Sequence, residues 1–437
     1  MRARRWIALA GATAVLASIA TTAHANGRIP EANQLVVRDD DPDFMLLRAT
    51  FGLLVSTDRG KSWDWICESA VGYGGAFDPA VALVGDRTTI AGTFNGLVTS
   101  NGGCSWKVAS EMSSTYVVDV TATATRGEGL AMTNFYVDGG YDTGIFRTTD
   151  GAKSWTRLTT LDPTLVVDTV EIAKSEPSRM YVTAKRFGAT TELFLLESQN
   201  GGSSFTSHAI ALDGDERGAF VCGVDPKNAN RVYVRTLAYP ETGAGAIGSR
   251  LLVSDDGGQT FVERFQGAPL LGFALSQDGT KAYLGLYPGG LQVMNTQSFT
   301  VEKKQSFPVK CLTTVENRLY ACSDKFNSGF VLGVSSDDGT TFSPVLQLES
   351  IRGPLSCAAG TEAAKCAAEW PQLAATLGVD AGTTPPAPPA PAASSGCGCS
   401  AAGTGASAGG ALASLFVGLS LLRRRLRPRS RPSRAAR

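Results

Sequence analysis

Apolar residues fall in short runs separated by Gly-, Asp- and Ser-rich breaks. The runs are Phe51 to Val55, Asn95 to Val98, Gly144 to Phe146, Leu193 to Leu196, Leu251 to Val253, Gly290 to Val293 and Phe330 to Val334. A second β-rich run lies upstream of most of them, as in Arg179 to Thr183, Arg231 to Arg235, Lys281 to Leu284 and Arg318 to Ala321. Turns repeat as well: Asp41-Pro42, Glu176-Pro177 and Asp225-Pro226 are expected just ahead of an inner strand, which would carry Tyr233 and Tyr283. Short strands at regular spacing with Gly and Asp turns predict an all-β protein.

After each of the first-named runs the same octet returns. It reads STDRGKSW at Ser56 to Trp63, TSNGGCSW at Thr99 to Trp106, TTDGAKSW at Thr148 to Trp155, SQNGGSSF at Ser198 to Phe205, SDDGGQTF at Ser254 to Phe261 and SSDDGTTF at Ser335 to Phe342. Leu291 to Phe299 is a degenerate seventh copy, and the third copy has Ala152 where the others have Gly. The closing aromatics are spaced 43, 49, 50, 56, 38 and 43 residues apart, a period that signals a propeller of seven blades. The octet resembles the Asp-box, or BNR repeat, of sialidase-like β-propellers, over about 320 residues. The resemblance implies that the box closes the turn between a blade's third and fourth strands. Asp58, Gly60, Trp63, Asn101, Gly103, Trp106, Asp150, Trp155, Asn200, Gly202, Phe205, Asp256, Gly258, Phe261, Asp337, Gly339 and Phe342 are therefore expected to be structural. Asp or Asn accepts hydrogen bonds from the turn, Gly takes positive φ, and the aromatic is buried between sheets.

The two ends have another character. Residues 1–25 combine a basic start, an apolar stretch and an Ala-His-Ala cleavage site, which predicts a signal peptide and export. Residues 381–396 are a Pro- and Ala-rich linker. Residues 397–437 hold Cys397 and Cys399 in a Gly-Cys motif, a weak apolar segment and eight arginines. This tail resembles the MYXO-CTERM sorting signal of myxobacteria, which implies recognition by sorting machinery, processing or lipid attachment near Cys397 or Cys399, and a membrane anchor at the cell surface; a plain single-pass tail is the alternative. Between the ends lie the propeller (26–352) and a helical extension (353–380). With the arginine-rich ends set aside, the body holds 29 basic against 40 acidic residues, which argues against a nucleic-acid partner.

Histidines number two, His24 and His208, and the first lies in the signal peptide. That excludes His-pair metal sites and makes a Ser/His/Asp triad improbable, so neither metal nor cofactor is expected. Seven cysteines lie in the body, and export permits disulfides. A two-residue turn at Glu316-Asn317 sets Cys311 opposite Cys322. Cys67 with Cys104 suits an interblade bridge, Cys357 with Cys366 a staple within the helical extension, and Cys222 is left as a buried free thiol. Arg28-Ile29-Pro30 matches the early motif of sialidases, which implies that Arg28 would grip a substrate carboxylate alongside two further arginines and a Tyr-Glu pair. The expected function is a surface-anchored, non-enzymatic propeller binding a glycan, peptide or protein. The alternatives are a sialidase-like glycoside hydrolase and an envelope assembly factor.

Overall fold

The computed structural model describes residues 28–239 and 245–379. The expected signal peptide, linker and sorting tail with Cys397 and Cys399 lie outside the described residues.

Seven four-stranded antiparallel sheets follow one another, at 32–66, 81–108, 117–160, 166–210, 216–267, 270–303 and 311–346. Each is a blade, made from consecutive strands in all but the third. The first strand of each blade lies against that of the next, and Cys311–Val315 returns to Ala32–Arg38, so the ring is a seven-bladed β-propeller. The degenerate seventh copy belongs to blade six, where Gly290–Asn295 is the third strand. A small extra hairpin, Phe135–Val137 with Gly140–Asp142, is inserted between the second and third strands of blade three.

Burial explains the pattern of the sequence. Second and third strands such as Thr88–Thr93 and Gly52–Ser56 are covered on both faces by neighbouring blades, so they are buried end to end rather than alternating. Fourth strands such as Val301–Lys303 and Thr156–Thr160 form the exposed rim. The runs holding Tyr233 and Tyr283 are second strands, not inner ones: the innermost strands of those blades are Glu216–Val224 and Leu270–Leu275. The Pro-containing turns accordingly lead into second strands.

Each octet forms the turn between third and fourth strands. In the first, the Ser56 hydroxyl donates to Asp58 Oδ1 at 2.8 Å, Asp58 accepts from the Ser62 N–H and hydroxyl, and the Trp63 indole donates to the Gly60 carbonyl at 3.0 Å. The carboxylates of Asp150, Asp256 and Asp337 repeat this pattern, and the Asn200 side chain repeats its core. Asn101 departs from it, donating instead to the Asp86 carbonyl at 2.8 Å. The box glycine is required twice over. Gly60 has φ +82°, and a Cβ there would stand 2.7 Å from Val345 of blade seven. Gly258 and Gly339 likewise abut Leu195 and Leu291 of the preceding blades.

The innermost strands are joined by side chains. Gln34 donates to the Val81 carbonyl, Asp119 accepts from the Val170 N–H, Thr169 accepts from the Val221 N–H, and Thr314 donates to the Leu275 carbonyl. Thr313 closes the ring by donating to the Leu35 carbonyl at 2.8 Å.

A clasp of chain beyond blade seven reinforces that closure. Residues 352–355 run along the last strand of blade one: the Trp65 N–H donates to the Gly353 carbonyl and the Leu355 N–H to that of Trp65, each at 2.7 Å. The helix Cys366–Leu377 then packs Trp370 against Trp65, with ring centroids 5.7 Å apart. Disulfides join Cys67 to Cys366, Cys104 to Cys357 and Cys311 to Cys322. The last is the bridge its hairpin register dictates. The other two correct the expectation of Cys67–Cys104 and Cys357–Cys366. Segment 357–366 does not fold on itself but lies across the blade rims, where the Ala363 N–H bonds the Cys104 carbonyl, so each of its cysteines meets the blade beneath it. Cys222 carries a free thiol, half-buried rather than wholly buried as expected, and desolvation pushes it up to about 11.

Candidate functional site

Strand direction divides the ring into two faces. One carries the first-to-second turns and the octets. The other carries the second-to-third turns and the connections between blades.

The second face is aromatic. Phe94, Phe135, Tyr136, Phe187, Tyr287 and Phe326 are exposed, Phe326 by 82 % and Tyr136 by 65 %, and all six stand in second-to-third turns. Blade five contributes Ile247 at the same place, and blade one the half-buried Phe51. Among the described residues no exposed aromatic side chain lies on the octet face. The asymmetry sets this face apart from the octet face. Sequence reasoning missed these residues because each is a single ring in a turn. The signal was nonetheless present: Phe94, Phe187 and Tyr287 come immediately after a second strand, and Phe51 one residue later.

Arg28 lies on this face, just ahead of the first strand of blade one. It donates to Asp78 Oδ1 at 2.5 Å and to the Gly75 carbonyl at 2.7 Å, with Glu68 3.8 Å away. Arg48 completes the cluster, donating to Asn33 and to the Pro79 carbonyl. Burial raises the Glu68 carboxyl to about 7 against the pull of Arg28, and burial first, then the charge of Glu68, raises the Tyr73 phenol. The structure thus places Arg28 and a second arginine around a carboxyl and a phenol. Tyr233 and Tyr283 are elsewhere: Tyr233 is wholly buried, and Tyr283 donates to Asp338 at 2.6 Å near the octet face.

A second, polar region follows the axis toward the octet face. A cleft of about 350 Å³ is lined by Gln34, Arg38, Asp119, Glu171 and Lys174 among others. Arg38 bridges blades there, donating to the carbonyls of Leu83, Thr123 and Ala124. Asp119 accepts backbone N–H bonds from Val120 and Val170, both at 2.9 Å, yet burial outweighs them and raises it to about 7. Burial, and next the charge of Asp119, raises Glu171 to about 8. With both Asp119 oxygens engaged, this pair serves blade contact first, and Glu171 keeps the freer carboxyl.

Neither a protein-family model nor a curated protein matches this sequence. Solved structures do, at the level of fold. An ancestral GH74 enzyme has 12 % identity over 73 % of this chain, with a TM-score of 0.41. A GH74 xyloglucanase from Xanthomonas campestris has 12 % identity over 76 %, with a TM-score of 0.43. This chain spans 54 % and 62 % of those two enzymes' lengths. Sqt1 of Saccharomyces cerevisiae has 10 % identity over 72 % of this chain and 84 % of its own, with a TM-score of 0.45.

Proposed function

We propose that the protein is a cell-surface-anchored, non-enzymatic propeller of the Asp-box type whose ligand seats on the aromatic face. The observation that carries this reading is that, among the described residues, all six exposed aromatic rings are confined to second-to-third turns, on the side away from the octets. Propeller mouths built of such loops suit glycans, peptides and proteins. Export is supported by three disulfides, and anchoring by the order of linker, Gly-Cys motif, apolar segment and arginines in the tail. The exported protein is screened against glycan and peptide arrays beside a Phe94→Ala, Tyr136→Ala, Phe187→Ala triple variant. A Lys153→Ala variant in the third octet turn is the control. Loss of the array signal in the triple variant alone, at unchanged thermal midpoint, is the expected result. Equal signal from the triple variant contradicts it.

A second reading, a sialidase-like glycoside hydrolase, is favoured by one observation: Arg28 and Arg48 stand around the Glu68 carboxyl and Tyr73 phenol. Release of sialic acid from a sialoside, abolished by Arg28→Ala, would replace the binding-module reading with this one.

A further inference from the structure

The cluster on the aromatic face holds one cation that the fold leaves unmatched. Arg48 is half-buried near the end of Asp41–Ala49, the second strand of blade one. It donates through Nε to Asn33 Oδ1 at 2.8 Å and through Nη1 to the Pro79 carbonyl at 2.7 Å. Its Nη2 reaches solvent and has no hydrogen-bond partner among the described residues, and none of their carboxylates pairs with the guanidinium. The acids nearby are committed elsewhere. Asp78 spends Oδ1 on Arg28 and Oδ2 on the Asn33 amide, Glu68 stands 3.8 Å from Arg28, and Asp119 accepts two backbone N–H bonds. Burial accordingly pulls the Arg48 guanidinium below its ordinary value despite the charge of Asp78. A desolvated cation without a counter-ion costs stability, so a fold that fixes one with two hydrogen bonds leaves a place for a counter-ion from outside.

The neighbours set what that anion carries. The Pro79 carbonyl that holds Arg48 is two residues from Phe77, at most about 7 Å along the chain. Phe77 meets Phe94 at 4.3 Å between ring centroids, and Tyr116 stacks on Phe94 at 4.7 Å with planes 25° apart. Phe94 remains 58 % exposed, so its ring is held by its neighbours and still offered to a ligand. An inorganic anion would use the guanidinium and leave the rings. A neutral apolar molecule would use the rings and leave the guanidinium unpaired. A carboxylate carrying an apolar side group uses both.

We infer that Arg48 and the Phe94 shelf form a subsite for a carboxylate joined to an apolar side group, the chemistry of a peptide's C-terminal residue. The carboxylate pairs with the Arg48 guanidinium and the side group lies on the Phe94 ring. Charge-assisted hydrogen bonds from a guanidinium to a carboxylate are the strong ones, and a ring held in place adds contact at small entropic cost. Arg28 takes no part, since its guanidinium is already occupied by Asp78 and the Gly75 carbonyl. This rests on the proposal that the aromatic face binds the ligand, and narrows it to one chemistry and one place.

Acetyl-Gly-Gly-Phe, its C-terminal amide, hydrocinnamate and sialic acid are titrated calorimetrically into the full-length exported protein. The free-acid peptide is expected to bind, and its amide at least about tenfold more weakly. Arg48→Gln should abolish that difference, Arg48→Lys should keep most of it, and Phe94→Ala should weaken acid and amide alike by about three- to tenfold. Hydrocinnamate matching or exceeding the peptide supports the same chemistry with a small acid as its source. Thermal midpoints show whether the variants remain folded, and the comparison of acid with amide needs no variant. Equal affinity for acid and amide, or a preference for the acid that survives in folded Arg48→Gln protein, overturns the subsite. Binding of sialic acid alone overturns the apolar side group and gives Arg48 to the hydrolase reading. Binding of none of these probes, by a protein whose array ligand still depends on the rings of this face, overturns the carboxylate class and leaves the face intact. An aromatic face that takes no ligand at all ends both proposals.

Discussion

The indole of Trp155 shows how closely each octet depends on one atom. Trp63 and Trp106 donate to the carbonyls of Gly60 and Gly103 at 3.0 and 2.9 Å. The third copy has Ala152 at φ +64°, and the Trp155 indole is buried with no partner. A left-handed Ala is strained, by about 1 kcal/mol against Gly. Ala152→Gly should therefore raise unfolding stability by about 0.5–1 kcal/mol in urea titration; a decrease would show that the Ala methyl contributes more by packing than its backbone costs. Titration is the other residue-scale consequence. The Ser154 hydroxyl first holds Asp150 at about 2, and the Thr341 hydroxyl does the same for Asp337. These depressed carboxyls contribute stability above about pH 4 and lose it as pH falls toward 2. Glu171, raised to about 8 mainly by burial, acts with the opposite sign: its contribution is complete below about pH 4.5 and fades as pH rises through 8. The thermal midpoint should peak near about pH 5, and Glu171→Gln should flatten the decline above it. A midpoint that climbs steadily from pH 5 to 8 would show that the axial carboxyls are already ionised in the folded state.

At the scale of elements, the clasp 352–377 is the part that most concerns ring closure, because no strand is exchanged between blades one and seven. The Cys67–Cys366 and Cys104–Cys357 bridges span 299 and 253 residues, long loops whose closure restricts the unfolded chain strongly. Non-reducing peptide mapping should recover these two pairings together with Cys311–Cys322. Replacing Cys67 and Cys366 by Ala should cost about 2–5 kcal/mol. Recovery of Cys67–Cys104 would place the clasp elsewhere. The blade count and the Cys311–Cys322 bridge are local, carried by octet spacing and by one two-residue turn. Strand order within a blade is less so, since a second strand buried on both faces reads like an inner one, which is how Tyr233 and Tyr283 came to be expected at the axis. Which blade a distant Cys meets depends on the path of segment 357–366 across the rim, and no pattern within that segment encodes it. The aromatic face was hidden for the same reason: its rings are scattered through 233 residues, from Phe94 to Phe326, and converge only when the ring closes.

For the whole molecule, anchoring of the propeller through the C-terminal tail is a proposal open to test. Truncation after Gly382 should leave the propeller folded and turn it into a soluble secreted protein; retention with the envelope would move the anchoring role from the tail to the propeller. Which face the ring turns toward its ligand is the central claim, and hydroxyl-radical footprinting reads it most directly. With an array-positive ligand bound, Phe94, Phe135, Tyr136, Phe187, Tyr287 and Phe326 include the residues whose oxidation should fall, while Phe205, Phe261 and Phe342 in the octet turns remain as in the free protein. Protection confined to the octet turns, with the six exposed rings oxidised as before, would contradict the account.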